Sequence, residues 1–274
     1  MCGPTASGKS ARAIDIAQEL GGVIINADAM QVYRELRILT ARPSAQEEEA
    51  TPHRLYGVLQ ASEACSAGRW LALARAAIDD TLAHGKLPIV IGGTGLYIKT
   101  LMQGIADIPD IAEDAQAEAA RLWQESGPDA LAQRDPIMAA QLRPSDPQRH
   151  IRALAVLLST GKSLAHWHEQ PREKLYPDAE FQVDYVAVPR EELYRRCDAR
   201  FLKMIEAGAL EEVKSLMALG LSDNLPPMRA VGVPELVSHL KGECSLADAT
   251  TKAQQTTRNY AKRQVTWFTH QLEK

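Results

Sequence analysis

The chain has 274 residues, 45% of them apolar and 24% charged, a composition that excludes a disordered or fibrous protein. Its net charge of −4 excludes a uniformly basic nucleic-acid binder, so any such surface must be local. Cys2, Cys65, Cys197 and Cys244 are scattered without CxxC spacing, and no apolar run nears the ~18 residues of a membrane span. Free thiols, a cytoplasmic location and no membrane partner are the expectation.

In chain order, Gly3-Pro4-Thr5-Ala6-Ser7-Gly8-Lys9-Ser10 satisfies GxxxxGK[ST]. Such a loop turns backbone N–H groups inward around phosphate oxygens, and the following helix adds its positive end. Lys9 supplies a point charge, and the Ser10 hydroxyl is placed for Mg²⁺. Ile14, Ala17 and Leu20 recur at helical spacing over Ala11–Leu20. Only Met1 and Cys2 precede the loop, so the strand that normally carries it is expected upstream of Met1.

Val23–Ile25 reads as a buried parallel strand ending at Asp28. Asp28 then lies at the sheet edge where ligands bind in open α/β folds. It could hold a metal, act as a base, or cap a helix. Arg54–Leu59 is expected to be a strand, and Ser66 to cap a helix running to about His84. Leu87–Ile91 is a further strand, ending in Gly92-Gly93-Thr94-Gly95. That strand offers no carboxylate there, only the Thr94 hydroxyl.

Between Asp107 and Lys174 strand signals vanish, and helical sequence broken at Pro128, Pro136, Pro144 and Pro147 takes over. Phe181–Val188 returns to strand, and the remainder is mainly helical, with a loop around 222–227. The expected architecture is a P-loop NTPase-like doubly wound parallel α/β sheet with a helical insertion. The boundaries are 1–106 for the first part of the core, 107–174 for the insertion and 175–274 for the second part. Arg149 and Arg152 stand three apart and share a helix face. Arg258, Lys262 and Arg263 are expected on one side of the last helix. His166-Trp167-His168 reads as packing rather than a metal site, because i and i+2 residues diverge on a helix.

The chain resembles the tRNA dimethylallyltransferase family along nearly its whole length. The resemblance rests on Gly3–Ser10, Asp28–Arg34, Thr40–Pro43, Pro52–Leu55, Gly92–Tyr97, Asp146–Leu154, Thr160–Ser163, Arg229–Gly232 and Thr257–Trp267. It implies transfer of a dimethylallyl group from its diphosphate to the exocyclic amine of the adenine 3′ of the anticodon. The tRNAs concerned read codons that begin with U. Gly3, Pro4, Thr5, Ala6, Ser7, Gly8, Lys9 and Ser10 then hold the diphosphate with Mg²⁺. Lys9, Asp28 as general base and Thr94 at the bridging oxygen are catalytic.

The resemblance further implies that Asp28, Ala29, Met30, Gln31 and Thr94 meet the adenine. Gln116, Gln148, Arg149, His150, Ile151, Arg152, Arg229, Arg258, Lys262 and Arg263 would contact the anticodon stem-loop of the tRNA. A monomer is expected. The chain departs from the family pattern at Ala29, where serine is usual, and at Gln116, where an arginine is often found. It departs also at Glu35–Pro43, which lacks two glycines and an acid, and at Val233-Pro234. A small-molecule kinase, a prenyltransferase acting on free adenylate and a non-catalytic RNA-binding module are the rival readings.

Overall fold

The computed structural model describes residues 1–272, which form two compact units: Met1–Met102 together with the chain from Asp178 onward, and Gln103–Pro177. In the first unit, α1 (Lys9–Leu20) is followed by β1 (Gly22–Asn26), α2 (Ala45–Ala50), β2 (His53–Arg54) and α3 (Ala67–Ala83). β3 (Leu87–Ile91) and α4 (Gly95–Gln103) come next. The fold is α/β with a small parallel sheet in the order β2-β1-β3, in which Ile24 pairs with both Ile89 and His53. Every residue of β1 is buried, as a strand paired on both edges and covered on both faces must be. Ala13 and Ala17 of α1 pack on Ile24, Ile89 and Ile91. Ser66 caps α3 by accepting the Arg69 N–H, and Trp70, Ala74 and Ile78 bury one face of that helix.

Two strand expectations are shortened. β2 ends at Arg54, because Leu55 sits at φ 65° and the Asn26 side chain captures its carbonyl at 3.1 Å. Leu59 pairs instead with Tyr33 in an isolated parallel bridge. Within 181–188 only Tyr185 bridges, in parallel with Cys2, which also bridges Gly92. Cys2 N–H donates to Asp184 O at 2.8 Å, and Val186 N–H donates to Cys2 O at 2.9 Å. Met1 and Cys2 thus occupy the position between β3 and the 184–186 segment, from which the phosphate loop springs.

The second unit is helical: α5 (Glu113–Ser126), α6 (Asp129–Ala132), α7 (Pro136–Ala140), α8 (Pro147–Thr160) and α9 (Leu164–Glu169). Pro136 and Pro147 mark helix starts, each behind a capping aspartate: Asp135 accepts the Met138 N–H at 3.0 Å, and Asp146 the Arg149 N–H at 3.2 Å. Leu122, Leu131, Leu154, Val156 and Leu164 form its core.

The chain then completes the first unit with α10 (Arg190–Glu206), α11 (Ala209–Met217), a 3₁₀ turn at Pro226–Arg229, α12 (Val233–Leu240) and α13 (Leu246–Leu272). Phe201, Leu216 and Leu236 bury against Ala249 and Ala253 of α13. Among the described residues no helix is long and apolar enough to cross a membrane.

Candidate active site

The phosphate loop alternates conformation: Ala6 has φ 61° and Gly8 φ 91°. Such alternation points successive amides to one side and makes an anion-binding concavity. Ala6 carries a side chain in the left-handed region, a strain of about 1–2 kcal/mol. No side chain caps α1, and its first intrahelical bond runs from Arg12 N–H to Gly8 O at 3.4 Å. The amides of Lys9, Ser10 and Ala11 therefore precede the hydrogen-bonded ladder and remain open to an anion.

Cationic groups converge on this loop. Lys9 Nζ donates to Pro4 O at 3.3 Å. Burial lowers its pKa to about 8; Asp28 and Cys2 oppose the shift, and Arg200 adds to it. Arg200, from α10, donates to the Thr5 hydroxyl, and burial lowers its pKa too. Two desolvated cations that make no ion pair among the described residues are costly in isolation and become favourable when an anion joins them. Ser7 Oγ is buried with no hydrogen-bond partner, which is a further open position beside the loop.

The sheet edge next to the loop is built by side chain–backbone bonds. Asn26 Oδ1 accepts the Asp28 N–H at 2.8 Å, and Asn26 Nδ2 donates to Asp28 O at 3.1 Å. Asp28 Oδ1 accepts the Met30 N–H at 2.9 Å, closing a local turn that no helix follows. The helix-cap alternative for Asp28 is thereby replaced by an aspartate turn. Asp28 Oδ2 has no hydrogen-bond partner among the described residues. Thr94 Oγ1 accepts the Ala29 N–H at 2.9 Å, tying the β1 and β3 edges together. The Tyr260 hydroxyl meets the Thr94 side chain; burial and the nearby Asp28 charge raise the Tyr260 pKa, so it stays protonated.

Part of this constellation lines one cavity of about 250 Å³, while Ser7, Lys9 and Thr94 stand outside its lining. Thr5 and Arg200 line it on the phosphate-loop side, and Asp28, Tyr260 and Arg263 line it at the sheet edge. Leu39, Phe201 and Met204 supply apolar wall. An anion site, an apolar wall and a carboxylate with one free oxygen are thus within one enclosure. Ala29, Met30 and Arg229 line it as well. Gln31 is outside its lining and donates to Thr40 O at 2.8 Å and Ala41 O at 3.1 Å.

The other candidates fall in different settings. Arg258 is bound to Asp198 at 2.5 Å and to Gln255 at 2.7 Å, so its charge is already engaged in an ion pair within the fold. Lys262 is exposed, and Arg263 faces the cavity with its guanidinium 5.8 Å from the Tyr260 ring. The three do not form one stripe, because Arg263 lies about 140° round the helix from Arg258 at 100° per residue.

In the helical unit Gln116, Gln148, Arg149 and Arg152 are exposed. His150 is 2% exposed, tilted against the Trp123 ring, with Nε2 3.2 Å from Arg143 O. α8 turns it into the core, while Gln148, Arg149 and Arg152 face out. Ile151 is half-buried against the same core. Trp167 packs on that core too, under the Lys162 ammonium. Arg200, Tyr260 and Gln264 were not singled out by sequence reading. Tyr260 and Gln264 lie four apart within the Thr257–Trp267 run that carries the resemblance, which is the signal that could have found them, whereas Arg200 had only its place on an Arg-rich helix.

A family model described as IPP transferase matches residues 31–271. The chain is 52% identical to the tRNA dimethylallyltransferase of Rhodospirillum centenum, over 98% of this chain and 87% of that protein. The solved tRNA isopentenylpyrophosphate transferase of Bacillus halodurans is 32% identical with a TM-score of 0.66, covering 97% of this chain and 84% of that one. A solved eukaryotic dimethylallyltransferase acting on tRNA is 30% identical with a TM-score of 0.78, covering 97% of this chain and 68% of that one.

Proposed function

We propose, because the chain belongs to the tRNA dimethylallyltransferase family, that the phosphate loop takes the donor diphosphate and Asp28 receives the acceptor adenine. The protein is a tRNA dimethylallyltransferase, forming N6-dimethylallyladenine in tRNA and releasing diphosphate. The finer architecture we assign is a P-loop NTPase-like core carrying a helical insertion. The observation that carries the site assignment is the single cavity lined by Thr5, Arg200 and Asp28.

The reaction is an allylic substitution. The C–O bond to the diphosphate breaks with its electron pair leaving on oxygen, and the adenine N6 lone pair forms the new C–N bond. Positive charge develops on the prenyl carbon and negative charge on the departing oxygen. Lys9, Arg200 and the open amides of α1 are fixed donors for that oxygen, and preorganised donors of this kind contribute most to such steps. Thr94, held by the Ala29 N–H, presents its hydroxyl at the bridging position. Asp28 Oδ2 takes the proton that N6 loses.

A magnesium ion fits this donor set as a companion of the diphosphate. No group of three His, Cys, Asp or Glu side chains gathers among the described residues, and Ser10 is exposed beside the loop. Magnesium commonly takes one protein oxygen with phosphate oxygens and water. Ser10 would hold it, and it would neutralise charge on the diphosphate.

The adenine must leave its stack to enter the cavity, and the anticodon loop offers unpaired bases for that. Exposed Gln148, Arg149 and Arg152 are assigned to the tRNA backbone, with Arg263 and Arg229 at the cavity mouth, and a cytoplasmic setting follows from the substrate. The test is transfer of label from radiolabelled dimethylallyl diphosphate, with Mg²⁺, to an anticodon stem-loop and separately to AMP. Label on the stem-loop alone is expected, and label on AMP overturns the tRNA assignment.

A further inference from the structure

One face of α13 runs along both loops of the site. Tyr260, Gln264 and Trp267 stand at i, i+4 and i+7, so they project from the same side. Tyr260 meets Thr94. Gln264 is buried, its Oε1 accepting the Thr5 N–H at 2.8 Å and its Nε2 donating to Gly93 O at 2.8 Å. The Gln264 amide occupies the place a Cβ on residue 93 would take, and the Trp267 ring does the same at Gly95. The glycines flanking Thr94 are therefore required by α13, not by the turn alone.

The orientation of the Gln264 amide is forced. Thr5 N–H can only donate and Gly93 C=O can only accept, so exchanging oxygen and nitrogen would lose both bonds. A neutral primary amide of this length is the one side chain that serves both partners. The bonds reach 259 residues back to the phosphate loop and 171 residues back to the Thr94 turn. One rigid planar group thus fixes the phosphate loop against the residue next to Thr94. Among the described residues no direct hydrogen bond joins Thr5 to Gly93.

We propose that Gln264 is a positioning residue for prenyl transfer, setting the Thr94 hydroxyl at its working distance from the diphosphate held by the phosphate loop. The proposal rests on the assignment of Thr94 and the loop made above. Gln264 touches neither substrate; it acts through Gly93 and Thr5.

The test is a double-mutant cycle on kcat, with both substrates saturating and at a temperature where circular dichroism shows every variant folded. Gln264→Met keeps the length and removes both bonds. Thr94→Ala removes the group it positions. A misplacement of about 1 Å can cost on the order of 10²-fold, so Gln264→Met alone is expected to lower kcat by about that factor. In the Thr94→Ala background the same change should cost less than about fivefold, since the group being positioned is gone.

A merely structural amide gives losses that multiply independently, and that result overturns the proposal, as does a kcat within about threefold of the parent protein for folded Gln264→Met. Should Gln264→Met fail to fold, Gln264→Glu is put through the same cycle. It keeps the acceptor for Thr5 N–H and loses the donor to Gly93 O. A Thr94→Ala protein with full activity would instead sink the Thr94 assignment, and leaves a separate signature from a failed cycle.

Discussion

Replacing Asp28 with asparagine separates the two jobs of its carboxylate. Oδ1 holds the Met30 N–H at 2.9 Å, and an asparagine oxygen can keep that bond. What is lost is the charge and the free Oδ2, which alone can take the N6 proton. A positioned general base contributes typically 10²–10⁴-fold, so kcat should fall by about that range, equivalent to roughly 3–5.5 kcal/mol in activation free energy. Stability should change by less than about 1 kcal/mol, because no buried group loses its partner. Asp28→Ala, by contrast, should cost about 1 kcal/mol more in stability through the released Met30 N–H. The assay is single-turnover transfer of label to an anticodon stem-loop, with thermal melts on the same samples. A well-folded Asp28→Asn protein within about tenfold of the parent rate would refute the base assignment.

Other outcomes follow from the same geometry. Burial holds the Lys9 pKa at about 8, below its ordinary value of 10.5, so the ammonium is fully charged near pH 6.5 and neutralises as pH rises through 8. Affinity for inorganic diphosphate, measured by calorimetry, should fall above pH 8 by up to about tenfold per unit, and Lys9→Met should abolish that slope; a flat profile in the parent protein contradicts it. Glu212 accepts the amides of Arg37, Ile38 and Leu39 at 2.6, 2.7 and 2.9 Å, and so clasps the loop that lines the cavity with Leu39 and Thr40. Glu212→Gln, left with one acceptor oxygen and no charge, should weaken the clasp by about 1–3 kcal/mol. Hydrogen exchange should then speed up at those three amides, while unchanged exchange there would contradict the clasp. Arg149 is exposed and, among the described residues, paired only with Asp146 at 3.3 Å, so Arg149→Ala should leave the melting temperature unchanged. It should weaken stem-loop binding and reduce the salt slope by about one, and an unaltered slope removes Arg149 from the interface.

Much of the site was legible in the sequence because it is local. The phosphate loop is eight consecutive residues whose glycine, lysine and hydroxyl chemistry needs no partner to be recognised. The strands β1, fully buried, and β3, partly so, are short apolar runs, and α3 begins at the serine that caps it. Asp28 and Thr94 could be placed at one sheet edge because both follow parallel strands directly. The departures at Glu35–Pro43 were visible too, but not their remedy: the clasp comes from Glu212, on a helix more than 170 residues away.

What depended on tertiary structure is what helices bring from elsewhere. Arg200 and Arg258 are both half-buried arginines on helices, yet one reaches the phosphate loop and the other is paired with Asp198. His150 falls between exposed Arg149 and Arg152 in sequence and is buried in space, because a helix turns 100° per residue and only packing says which side is inward. The Arg54–Leu59 strand stops early because Asn26, on another strand, captures the Leu55 carbonyl. Gln264 joins residues 5 and 93 through one amide. Local sequence carries the conformational preferences of a segment and the chemistry of its side chains. Which cations meet an anion, which are neutralised by a neighbour and which loops are held together depend on burial and distance, and only the folded chain sets those.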